Sequence, residues 1–135
     1  MRRLMIMLLT LCPAPLLALE LDCVAELACV TGAEAGCQKT EVPYALKVGR
    51  KTGAKVVMQT EDEERFYEFT RLKNADGLLL QASGGALGDD QGAGALSVFD
   101  DFRFVLTRHN RIVLGEDQTE VIAVSIHGTC KEPTP

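Results

Sequence analysis

From Glu41 onward the chain changes side-chain character every second residue, in short runs cut apart by turn residues. Val42, Tyr44, Leu46 and Val48 alternate with Glu41, Pro43, Ala45 and Lys47. A β-strand sends successive side chains to opposite faces, so this alternation predicts a strand with one face buried. Pro43 has no N–H to give a neighbour, which restricts its strand to a sheet edge or to a strand start. Residues 55–60, 65–72 and 78–82 read as further strands. They are separated by a turn at 50–53, an acidic tip at 61–64 and a turn at 73–77 with Asp76-Gly77 as its signal. Residues 95–99 and 102–108 predict a hairpin across Asp100-Asp101, and His109-Asn110 predicts a turn into 111–114. A last turn at 115–118 leads into 119–127. The reading is a mainly β fold: a small antiparallel meander of eight short strands, forming a barrel or a sandwich. With no Trp and few aromatics, its interior is aliphatic, and a small barrel of that kind is expected to be packed, not hollow.

The N-terminal third reads differently. Arg2 and Arg3 precede an apolar run over residues 4–17, and Ala18 stands just before Glu20, Leu21 and Asp22. A positive start, a short apolar stretch and a small residue at its end predict a signal peptide over residues 1–18. The apolar run is 14 residues with two prolines, against about 20 for a spanning helix, so no stable membrane insertion is expected. Leu8-Leu9-Thr10-Leu11-Cys12 is similar to a lipoprotein leader, but Leu11 stands where a small residue is needed, so Cys12 is assigned to the discarded leader. Cleavage after Ala18 leaves 117 of the 135 residues and moves the formal charge from −5 to −7. The organisation expected is a leader at 1–18, one domain at 19–130 and a disordered tail at 131–135. An exported bacterial protein of the periplasm or the exterior fits the leader and the absence of Asn-x-Ser/Thr sites. An acidic domain is a poor electrostatic match for nucleic acid.

Residues 21–31 predict a short helix, with Asp22 as N-cap, helix-favouring Ala and Leu, and Gly32 as its stop. Four cysteines beyond the leader, Cys23, Cys29, Cys37 and Cys130, are an even number in an oxidising compartment, which predicts two disulfides. Four cysteines allow three connectivities. On a helix, Cys23 and Cys29 would lie about 240° and 9 Å apart, beyond a disulfide's reach. That geometry favours Cys29 with Cys37 and Cys23 with Cys130, tethering the helix to the end of the last strand. Neither cysteine spacing is that of a zinc or redox Cys-x-x-Cys pair.

No constellation predicts catalysis, a metal or a cofactor. His109 and His127 lack a converging carboxylate, and Ser83, Ser97 and Ser125 lack a nucleophile elbow. The loop at 83–94 is rich in glycine, and Ser83, Gly84, Gly85, Asp89 and Asp90 are its candidate binding residues. It lacks the ending of a phosphate loop, and two aspartates are too few for a dedicated calcium site. Arg65, Tyr67, Phe69 and Arg71 share one strand face by period two. Arg65, Tyr67 and Arg71 are therefore a candidate partner-facing stripe. The competing reading puts Tyr67 and Phe69 in the core with the arginines snorkelling at its rim.

Ser83-Gly84 in a middle loop resembles the start of the Ser-Gly-x-Arg-Tyr loop of the periplasmic membrane-bound C-type lysozyme inhibitors, which are small β-barrels. The chain continues Gly85-Ala86-Leu87 without the Arg and Tyr, so no function is carried over. The function expected is a non-catalytic, monomeric, secreted or periplasmic binding or accessory module whose partner is another envelope or secreted protein. The alternatives are a carrier of a small apolar ligand and an envelope enzyme inhibitor.

Overall fold

The two-residue alternation becomes an inside and an outside. A computed structural model describes residues 17–32, 34–84 and 93–135. Eight strands follow in chain order: β1 (Leu17–Thr31), β2 (Gly36–Gly49), β3 (Lys55–Gln59), β4 (Phe66–Arg71), β5 (Leu78–Gly84), β6 (Gly94–Phe99), β7 (Arg103–Val113) and β8 (Thr119–Lys131). Each pairs antiparallel with the next, and β8 returns to β1, so the meander is a closed barrel and not a sandwich.

One side of every strand fills the lumen. Leu21, Leu46, Met58, Leu80 and Leu96 are wholly buried there, with Phe104 and Leu106 beside them. Burying side chains of this size stabilises by about 1.5–3 kcal/mol each. The aliphatic, packed interior expected from the composition is present. Gly128 makes room for part of it: a Cβ there would strike the Val24 carbonyl oxygen and come within 2.6 Å of the Phe104 ring. The Phe104 side chain therefore occupies the space that any larger residue at 128 would need.

Two expectations are corrected. Residues 21–31 are not a helix; they belong to β1, paired on one side with β2 and on the other with β8. Hydrogen bonding and burial along both edges outweigh the local helix preference of Ala, Leu and Glu. His109-Asn110 is not a turn either, because β7 runs unbroken from Arg103 to Val113 against β8.

The disulfides are Cys23–Cys130 and Cys29–Cys37, the favoured pairing, but strand register produces it where helix geometry was expected to. Each joins residues directly opposite across neighbouring strands. In a regular strand Cys23 and Cys29, six apart, would share a face. A bulge at Glu26, where the register shifts between Ala25 and Leu27 on both sides, reverses the alternation. Cys23 consequently lies in the core, while Cys29 meets Cys37 on the outer wall, leaving Ala28 and Val30 to continue the inner face beside Ile126 and Val124.

Candidate functional site

The strands differ in length, and the difference makes the site. β1, β2, β7 and β8 have 11 to 15 residues, whereas β3 to β6 have 5 to 7. Pairing of β2 with β3 begins only at Ala45, and pairing of β7 with β6 ends at Arg108. Beyond those points, among the described residues, the paired hairpins β1–β2 and β7–β8 project past the other half of the wall as a four-stranded apron. Its inner face continues the lumen face of the barrel.

Register places Val30, Asn110, Ile112, Glu120 and Ile122 on that inner face. Together with Gly32, Glu34, Leu114 and Gln118, four of them (Val30, Ile112, Glu120 and Ile122) enclose an open hollow of about 460 Å³. A Cβ on Gly32 would come within 3.0 Å of both Glu120 Oε1 and Ile122 Cγ2, so β8 side chains lie across the β1–β2 turn and bind the two hairpins together. Leu114, at the tip, is 54% exposed.

Below the hollow a polar layer separates it from the aliphatic core. Tyr44 and Tyr67 face each other with ring centroids 6.1 Å apart, and the Arg108 guanidinium lies 5.2 Å from the Tyr67 ring centre. Arg108 is only 8% exposed, and a cation over the face of a partly buried ring is favourable by about 1 kcal/mol. Burial, reinforced by Tyr44, pushes the Tyr67 hydroxyl above its ordinary range in spite of the two nearby arginines. At the rim, Arg65 is held more firmly in its charged form, chiefly by its hydrogen bond to the Tyr44 hydroxyl. The neighbouring β3–β4 turn is fastened by the Thr60 hydroxyl donating to the Asp62 carboxylate, which also accepts from the Glu64 N–H. Those bonds draw the Asp62 carboxyl below its ordinary value.

The residues singled out in the sequence do not gather at this mouth. Tyr67 is part of the polar layer and Phe69 part of the core, while Arg65 stands at the rim. Arg71 lies at the opposite end of β4, donating to the carbonyls of Gly49 and Arg50 at 2.8 and 3.2 Å. The stripe is thus divided between the barrel's two ends. Ser83 and Gly84 close β5, whereas Gly85, Asp89 and Asp90 lie outside the described residues, as does the leader up to residue 16. The apron residues Val30, Ile112, Leu114 and Ile122 had not been singled out. Their signal was the alternation Arg108-Asn110-Ile112, which the expected turn at His109-Asn110 cut in two.

A second hollow, about 400 Å³, lies on the outer wall beside the β1 bulge, lined in part by Glu26, Leu27, Phe99, Val105 and His127. Near it, Ser125 Oγ and His127 Nε2 are 2.8 Å apart. The pair resembles a nucleophile with its base, but β8 here is paired with β1 and β7 on both sides. Its backbone N–H groups are committed to the sheet and offer no oxyanion hole. Among the described residues, no group of three or more His, Cys, Asp or Glu side chains is placed to hold a metal ion. No helix among them is long and apolar enough to cross a membrane. Compared with known proteins, the chain matches no family model, no curated protein and no solved structure.

Proposed function

We propose that this protein is a non-catalytic binding or accessory module of the periplasm or the exterior, and that it engages a protein partner at the mouth of its barrel. One observation carries this reading: the lumen is filled by its own side chains, whereas among the described residues the apron continues the apolar inner face beyond the rest of the wall. An apolar-ligand carrier needs an internal cavity, and the positions that would line one hold the buried Leu46, Met58, Leu96 and Phe104. Outward positions bear Glu20, Asp22, Lys47, Lys55 and Glu68, which suits a wall in water and not in lipid. Two disulfides fit an oxidising compartment.

Native mass spectrometry of the protein exported by its own host, purified without reductant, tests the proposal. The expected result is residues 19–135 less four hydrogens, accompanied by a stoichiometric protein partner that the variant Leu114→Lys fails to retain. A tightly held molecule of a few hundred daltons in place of a protein would overturn it, as would a lipid mass on Cys12 with no partner.

A further inference from the structure

In an up-and-down barrel every second turn emerges at the same end. The β1–β2, β3–β4, β5–β6 and β7–β8 connections therefore emerge at the mouth; residues 85–92 of the β5–β6 connection lie outside the described residues, and the charges of the other three turns are one-sided. The β3–β4 turn contributes Glu61, Asp62, Glu63 and Glu64; the β7–β8 turn adds Glu116 and Asp117, and the β1–β2 turn Glu34. The one base in these three turns is Arg65, whose guanidinium is bonded to Tyr44. At the opposite end Arg50, Lys51 and Lys73 balance Asp76, Asp100 and Asp101. Within the apron, register turns Lys39, His109 and Arg111 to the outer face, away from the hollow. The hollow itself has an apolar floor of Val30, Ile112, Leu114 and Ile122, and its ionisable lining is Glu34 and Glu120.

From this arrangement we infer that the mouth accepts a cationic segment of a secreted protein, one that inserts an apolar side chain flanked by lysine or arginine. The inference rests on the binding-module reading above and names its partner's chemistry. The apolar floor supplies the anchor pocket that interface hot spots require. The acidic turns supply a field that attracts bases and repels acidic surfaces, which governs encounter rate and partner choice. An acidic or neutral partner would meet the same floor without that attraction.

The test uses the exported, oxidised protein and three synthetic hexapeptides, KKLLKK, EELLEE and KKSSKK, followed by calorimetry and amide chemical-shift mapping. KKLLKK is expected to bind at least tenfold more tightly than either of the others. Its shifts should gather on Val30, Ile112, Leu114 and Ile122, and raising NaCl from 50 to 500 mM should weaken it about tenfold, as screening dictates. Ile122→Lys, and the exposed Leu114→Lys in case the first disturbs folding, should each lower affinity at least tenfold. Equal binding of EELLEE, shifts gathered on Leu27, Phe99 and Val105 of the outer wall, or unchanged affinity in a folded Leu114→Lys would each overturn the inference. If a protein partner still co-purifies in any of those cases, the binding-module reading survives; if none does and no peptide binds, both fall.

Discussion

The two disulfides make a controlled comparison, because one variant of each pair leaves the other bridge in place. Cys23–Cys130 spans 107 residues of sequence and Cys29–Cys37 spans 8. Constraining the unfolded chain by loops of those lengths corresponds to about 5 and about 2.5 kcal/mol at 25 °C. Burial widens the gap: Cys23 is 1% exposed inside the lumen, so truncating it also removes packed sulfur from the core, whereas Cys29 lies on the outer wall. The double variant Cys23→Ala with Cys130→Ala is therefore expected to lose at least about 2 kcal/mol more than Cys29→Ala with Cys37→Ala. For a domain of this size a urea m-value of about 1.5 kcal/mol/M turns that difference into a midpoint gap of about 1.5 M. Equilibrium urea unfolding followed by far-UV circular dichroism reads it directly. Equal midpoints, or a lower midpoint for the Cys29/Cys37 variant, would refute the reasoning, since loop length and burial both point the same way.

Gly128→Ala places a methyl against the Val24 carbonyl oxygen and the Phe104 ring, and should cost at least about 2 kcal/mol, read as a fall in Tm of about 8 °C or more; an unchanged Tm would show that the β1–β8 seam yields freely. Of the two tyrosines, Tyr67 should ionise above the ordinary value of 10 in the folded protein, because burial chiefly, with Tyr44 beside it, opposes its phenolate, and should return to that value in urea. The sign follows from linkage. The folded state binds that proton more tightly than the unfolded state, so stability is undiminished below pH 10 and falls as pH rises past it. A folded-state value at or below 10 for the Tyr67 ring signals in an NMR titration contradicts the surroundings assigned to Tyr67.

Where one face of a strand is buried and its turns are strong, the sequence was sufficient. Val42 to Val48, Phe104 to Leu106 and the Asp76-Gly77 turn all fall where alternation and turn chemistry put them. Gly77, at φ 80°, adopts the left-handed backbone that its turn requires. β1 was misread because its period breaks at Glu26: Leu21, Cys23 and Ala25 face inward, then Ala28 and Val30 do. A window spanning the bulge shows neither clean alternation nor clean helical spacing, and local propensity then favours the helix. β7 was misread for a different reason. His109-Asn110 has turn-like chemistry, but both residues lie on a strand bonded along its length to β8, a partner that local sequence does not display. The apron depends on both corrections, which is why its hollow was invisible in the sequence while the stripe on β4 was not.

The same geometry explains why a partner would use the inner face of the apron and not its edge. Over residues 36–43, β2 has no strand on its β3 side among the described residues, a length of backbone that invites pairing with another chain. That stretch carries Lys39 and Glu41 on its outer face and ends in Pro43, which has no N–H to contribute. Charges and proline are the means by which natural sheets prevent edge-to-edge association. The inner face has the opposite character, since Val30, Ile112 and Ile122 present apolar surface beside the carboxylates of Glu34 and Glu120. Strand addition along β2 would have to desolvate Lys39 and Glu41 for few added bonds, whereas a side chain entering the hollow buries apolar area against a floor already held by four strands. The chain is thus built to discourage one mode of association and to leave the other open, and it is at the mouth that selection between partners would act.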